Sequence, residues 1–153
     1  MPGDTTGIPV GDAHPGAFGY RRKMHTHEGV DLYCPEGTEV YPVEEGIVVG
    51  ILPFTGPHAG SSWWHDTYAV LVEGASGVVV YGEIIPDVHE GDLVNTSHLI
   101  GKVTQVLTKD KGRPMTMLHL ELHEAGTRDV YEWEANGERP ESLRDPTPFL
   151  QAI

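Results

Sequence analysis

His27 and Asp31 flank a glycine in the run His27-Glu28-Gly29-Val30-Asp31. If the chain turns at Gly29, an imidazole and a carboxylate converge there. Zinc accepts both donor types at about 2.0–2.2 Å in tetrahedral geometry, and a catalytic site keeps its fourth position for water. A second concentration of polar chemistry lies in Met117-Leu118-His119-Leu120-Glu121-Leu122-His123. Leu118, Leu120 and Leu122 alternate with Met117, His119, Glu121 and His123. That period of two predicts a strand with leucines toward a core and two imidazoles and a carboxylate on the opposite face. As a helix, the same run would set His119 and His123 one turn apart, like the paired ligands of a zincin. The strict alternation and the stop at Gly126 argue for the strand. The spacing of His27 and Asp31 recurs often by chance, so spacing alone leaves a metal site and a solvated polar stripe equally open.

The elements that must position these residues read as short strands. Glu39–Val43 and Gly46–Leu52 are two β-rich runs around Glu44-Glu45, predicting a hairpin. Thr67–Val72 and Val78–Ile85 form a second pair around Gly74-Ala75-Ser76-Gly77, and Val78-Val79-Val80-Tyr81 has the content of a central strand. Val88–Val94 and Leu99–Val103 read as a turn-and-strand unit. Residues 53–66 form a long loop carrying Trp63, Trp64 and His65, and a polar, acidic irregular stretch follows over 126–144. Residues 1–16 read as a flexible arm ahead of one β domain over 17–153. The 19 glycines and 12 prolines recur between short apolar runs, which favours tight turns over a helical bundle.

The chain has 153 residues, enough for one domain with a core of its own. The 23 acidic against 10 basic residues give a formal charge of -13. That excludes the basic footprint needed by nucleic acid or an anionic membrane, and it serves solubility first. Cys34 is the single cysteine, so no intrachain disulfide forms and the redox compartment stays open. No run is long enough to span a bilayer, and residues 1–16 lack the apolar core of a signal peptide. A cytoplasmic chain, a phage-borne one, or one from which an export segment has been cut would each fit.

In order along the chain, several segments resemble the M23 (lysostaphin-like) zinc metallopeptidases, which cut peptidoglycan cross-bridges. They are Phe18-Gly19-Tyr20-Arg21, His27–Asp31, Gly37–Pro42, Glu45–Gly50, Val88–Gly91 with Val94 and Ile100-Gly101, Leu118-His119-Leu120-Glu121, and Asp145–Leu150. The resemblance implies a mainly β fold, an antiparallel sheet or partly open barrel of the lysostaphin-like (duplicated hybrid motif) type, with a zinc groove on one face. It also implies that His27, Asp31 and His119 are the metal ligands and Zn2+ the cofactor. Two further active-site histidines of the family fall on Met117 and on Glu83, within Tyr81-Gly82-Glu83. A thioether can neither take nor give the proton that a histidine handles there.

Two readings of function follow. In the first, the chain is a zinc-dependent hydrolase of the peptidoglycan-endopeptidase type in which Glu83 replaces a histidine as general base. His123 or His65 then supplies the proton donor. In the second, it is a catalytically inactive zinc-binding module that binds a peptide, glycan or protein partner. Glu121 is expected to hydrogen-bond a ligand imidazole. Arg21, Met117, Trp63, Trp64 and His25 are expected around the ligands or along the substrate groove. The partner is a peptide or peptidoglycan-like molecule, and a monomer is expected.

Overall fold

The computed structural model describes residues 17–19, 27–59, 65–106, 116–130 and 139–151. The arm over 1–16, Arg21, His25, Trp63 and Trp64 lie outside the described residues. The described strands are β1 (Val30–Tyr33), β2 (Glu39–Val40), β3 (Gly46–Thr55), β4 (Thr67–Gly74) and β5 (Gly77–Pro86). They continue with β6 (Leu93–Val94), β7 (Gly101–Val103), β8 (Met117–His123) and β9 (Leu143–Arg144), and a short helix α1 (Thr147–Gln151) follows. They form one sheet in the order β1-β8-β5-β4-β3-β6, with β9 beside β8 and β7 joined to both β5 and β2. All these pairings are antiparallel. The fold is therefore the mainly β, antiparallel class expected from the sequence. No helix among the described residues is long and apolar enough to cross a membrane.

The alternation in β8 places Leu118, Leu120 and Leu122 in the main core with Val30, Leu32, Val70, Val72, Val79, Tyr81 and Ile84. The opposite face carries a smaller cluster of Ala69, Leu71, Val78 and Val80, with Leu52 and Phe54 packed against it. Each buried aliphatic side chain contributes about 1.5–3 kcal/mol by leaving water, so the leucine row fixes which face of β8 is left for polar residues. Tyr81 is fully buried, and its hydroxyl accepts a hydrogen bond from the Val43 N–H at 2.9 Å.

The 67–85 hairpin forms as expected, with Gly74 opposite Gly77 across the turn. The hairpin expected between 39–43 and 46–52 does not. β2 is only two residues long and pairs with β7, whereas β3 pairs with β4 and β6. Pro42 has no N–H to donate and ends β2 early, and the turn signal at Glu44-Glu45 carries no information about which strand lies alongside. The 88–103 unit likewise divides, β6 joining β3 and β7 joining β2 and β5. The loop expected from residue 53 begins later, because β3 runs through Pro53 and Phe54 to Thr55. Pro53 is accommodated beside a register shift between Pro53 and Thr55. Within the stretch read as irregular over 126–144, β9 pairs with β8.

The strand β5 changes partner partway along. Its first part, Val78–Gly82, pairs with β8, and its last part, Ile84–Pro86, pairs with β7. Glu83 lies at the junction. On the β4 side, Ala69 faces Gly82 and Tyr68 faces Ile84, so Glu83 is the extra residue of a β-bulge. Its φ of 67° is in the left-handed region, where it is the one non-glycine found among the described residues.

Candidate metal centre

Asp31 and His119 are direct cross-strand partners on β1 and β8, which puts their side chains on one face. His27 enters just before β1, and Gly29 lets the chain pass against β8. A Cβ at Gly29 would lie 2.1 Å from the Leu120 carbonyl oxygen. The close approach that the glycine permits therefore brings His27 over the strand that carries His119.

Three donor atoms converge. His119 Nδ1 lies 2.8 Å from Asp31 Oδ1, His27 Nε2 lies 3.1 Å from the same oxygen, and the two ring nitrogens are 3.2 Å apart. All three residues are buried, and they form a group that could hold a metal ion. The other nitrogen of each ring fixes its proton. His27 Nδ1 donates to the Ala17 carbonyl at 2.9 Å, and His119 Nε2 donates to Glu121 Oε2 at 2.8 Å. In neutral rings with those protons, two nitrogen lone pairs and a carboxylate oxygen point at one spot. Three acceptors that close repel unless a cation stands between them. Tetrahedral zinc with bonds of about 2.0–2.2 Å would set donor spacings of about 3.3–3.6 Å, so even the lower end needs the three spacings to widen by about 0.1–0.5 Å. The donor set of two imidazoles and a carboxylate suits zinc.

Asp31 and His119 also shift each other's protonation. Burial pushes the His119 imidazole down, but the hydrogen bonds and charges of Asp31 and Glu121 outweigh it and hold it well above its ordinary value. Burial likewise raises the Asp31 carboxyl, and the hydrogen bonds and charge of His119 and His27 overcome it, leaving Asp31 well below the usual carboxylate range. Glu121 behaves the same way: burial raises it, and His119 and His123 lower it further than burial lifts it.

The polar face of β8 continues outward from the three donors. Glu121 Oε1 accepts from His123 Nε2 at 2.8 Å, and His123 Nδ1 meets Ser142 Oγ at 2.7 Å. His123 is thus tied to Glu121 and Ser142, on the far side of Glu121 from Asp31. Phe54 lies beside His119, ring centroids 5.2 Å apart, and over Gly82, where a Cβ would come within 2.8 Å of the Phe54 ring. Gly82 faces His119 directly across β5 and β8, so the Glu83 bulge follows one residue after the position paired with His119. Met117 begins β8, half-buried, on the same face as His119. The His65 side chain is exposed, while its backbone is bonded to Val106 and Thr55.

Ala17, Phe54 and Ser142 escaped the sequence reading. Ala17 acts through a backbone carbonyl, which no side chain announces. Phe54 was hidden because the strand was expected to end before it. Ser142 would have been visible only as a partner for the fully buried His123.

The comparison with protein families assigns this antiparallel β sheet, with its buried His-Asp-His group, to a class of peptidases. Residues 25–130 match the model for peptidase family M23, and the chain belongs to that family. A comparison with curated proteins finds no match. Among solved structures, the catalytic domain of the antimicrobial peptidase lysostaphin from Staphylococcus simulans is similar over 90% of this chain and 90% of its own, with a TM-score of 0.58 and 18% identity. LytU is similar over 95% of this chain and 85% of its own, at a TM-score of 0.57 and 17% identity. A Pseudomonas aeruginosa protein described as peptidase M23 matches 99% of this chain and 54% of its own length, at a TM-score of 0.51 and 18% identity. These likenesses bear on the fold.

Proposed function

We propose that the chain is a zinc-dependent hydrolase of the peptidoglycan-endopeptidase type, with His27, Asp31 and His119 as metal ligands and Glu83 as general base. The observation that carries this reading is the convergence of three buried donors whose opposite ring nitrogens are already committed to Ala17 and Glu121. Zinc held there would supply Lewis-acid polarisation of a peptide carbonyl and lower the pKa of a water to about 7.

The chain's own residues would do the rest. The register supports a role for Glu83. Val79, Tyr81 and Ile84 belong to the main core, so the row changes from odd to even residues across the bulge. Without the extra residue, strict alternation would bury the Glu83 carboxylate in that row. The bulge takes it out of that row, and Glu83 stays half-buried at the point where β5 passes from β8 to β7. There a carboxylate can take the proton of an attacking water and pass it to the leaving amine nitrogen, as the glutamate of His-Glu-x-x-His proteases does. Glu121 keeps the His119 proton on Nε2, so Nδ1 stays available as a ligand. Phe54 gives one side of the site an apolar wall. The assignment of substrate class rests on the family and on the segments shared with it.

A second reading, a zinc-binding module without catalysis, is favoured by Met117. It occupies a position beside His119 where the family resemblance expects a proton-handling histidine.

Metal analysis of purified protein, paired with cleavage of glycine-rich and cross-bridge peptides, separates the two. The hydrolase reading expects about one zinc per chain, peptide cleavage, and loss of both in Asp31→Ala. Zinc retained with no peptide cleaved would leave the binding module. Absence of zinc from protein prepared with excess metal would sink both.

A further inference from the structure

Beyond the donors, a chain of buried polar side chains continues along β8 from Glu121 to His123. His123 is fully buried, Glu121 is 1% exposed, and both lie on the face of the sheet that carries the apolar cluster of Val78, Val80, Ala69 and Leu71. Across the sheet, Val80 faces Glu121 and Val78 faces His123, so apolar neighbours surround the carboxylate on β5. Buried carboxylates in such surroundings need a donor at each oxygen. Glu121 has them: His119 Nε2 at Oε2 and His123 Nε2 at Oε1, each at 2.8 Å. With its proton on Nε2, the His123 ring presents Nδ1 as an acceptor for the Ser142 hydroxyl, 2.7 Å away. Ser142 is itself held, since its carbonyl accepts from the Glu124 N–H at 2.8 Å and β9 pairs with the end of β8 immediately after it.

We propose that His123 and Ser142 are positioning residues: they hold Glu121 in the orientation that fixes the His119 ring and thereby set how tightly the donor cluster binds metal. The chain of bonds runs from β9 through Ser142, His123 and Glu121 to His119, so the ring that offers Nδ1 is oriented from a strand that contributes no ligand. A carboxylate anchored at one oxygen only can rotate about its terminal torsion, which is broad and two-fold. Anchoring the second oxygen removes that freedom. The assignment rests on the proposed metal site for its consequence, but its geometry is a property of the chain alone.

The test compares the full chain with His123→Leu, His123→Gln and Ser142→Ala. Zinc affinity is measured by competition with a chromophoric chelator, and the His119 ring by nitrogen-15 NMR of metal-free and zinc-loaded protein. Partners of ligand imidazoles typically govern about 10–100-fold in metal affinity, and His123→Leu is expected to lose an amount in that range. His123→Gln keeps a donor for Glu121 Oε1 and should restore most of it, which a purely volume-filling histidine would not predict. Ser142→Ala should fall between wild type and His123→Leu. In metal-free protein the His119 Nε2–H signal should exchange faster with water in His123→Leu than in wild type. Melting curves confirm that each variant is folded at the temperature of measurement.

Wild-type zinc affinity together with an unchanged His119 signal in folded His123→Leu would overturn the proposal while leaving the metal site intact. A wild-type chain that binds no zinc, but whose His119 signal responds to His123→Leu, would remove the metal reading and leave the positioning role standing. If His123→Leu does not fold, His123→Gln and Ser142→Ala decide the matter. Affinity equal to wild type in Ser142→Ala, with a hundredfold loss in His123→Gln, would reverse the predicted order and refute the tether.

Discussion

Glu83 combines two properties that substitution can separate: a backbone held at φ 67° and the carboxylate proposed as general base. The left-handed conformation costs a residue with a Cβ about 1–2 kcal/mol. Glycine escapes that cost but gives up about 0.5–1 kcal/mol through its greater freedom in the unfolded chain. The variants Glu83→Ala and Glu83→Gly both remove the carboxylate, so their difference isolates the backbone. Glu83→Gly should be the more stable of the two by about 0.5–1 kcal/mol. For a chain of this size that is a difference of about 1–4 °C in Tm. Urea unfolding of zinc-free protein, with parallel calorimetry, reads it directly. Both variants, and Glu83→Gln with its charge removed but its size kept, should retain zinc and lose about 100-fold or more in peptide turnover. Glu83→Ala as stable as Glu83→Gly would show that the bulge does not hold this residue in the left-handed region. Turnover undiminished in Glu83→Gln would remove the carboxylate from the proton transfer, whatever the stability data showed.

Gly29→Ala should destabilise the protein by about 3 kcal/mol or more and lower Tm by about 6–12 °C, because the new Cβ meets a backbone carbonyl that no rotamer change can move. Zinc binding should weaken with it, since the same turn carries both His27 and Asp31; a variant with wild-type Tm and affinity would contradict the close approach. In metal-free protein, Asp31 and Glu121 lie below the usual carboxylate range, so their contribution is present above about pH 4.3 and is lost as pH falls through the lower folded values. His119 is raised, so its contribution is complete below about pH 6.5 and is lost as pH rises through the folded value. Urea midpoints of chelator-stripped protein should therefore peak between these limits, while zinc, which displaces the proton, binds more tightly as pH rises. Midpoints that climb steadily above pH 6.5 would show that no proton is shared among the three donors.

Much of the fold and of the candidate site was legible in advance, for local reasons. The leucine alternation of 117–123 identified a strand and its polar face because burial of every second residue is a property of the segment itself. The 67–85 hairpin was readable because its turn residues lie between the strands they join. The hairpin expected at 39–52 failed on a question the segment cannot answer, namely which distant strand supplies its hydrogen bonds. Arg21, His25, Trp63 and Trp64 lie outside the described residues, and their assignment to the groove stays a proposal.

By itself, the sequence determined the donor types, the order in which they occur, and the face of β8 on which His119, Glu121 and His123 lie. Only the tertiary structure decided how they are arranged. Register between β1 and β8 set Asp31 opposite His119, and the close pass at Gly29 brought in His27. The partner exchange along β5 made Glu83 a bulge, and the pairing of β9 with β8 placed Ser142 behind His123. Strand alternation is local, written every two residues. Which strands meet, and in what register, depends on burying the whole core at once, and the distances between the donor atoms follow from that choice.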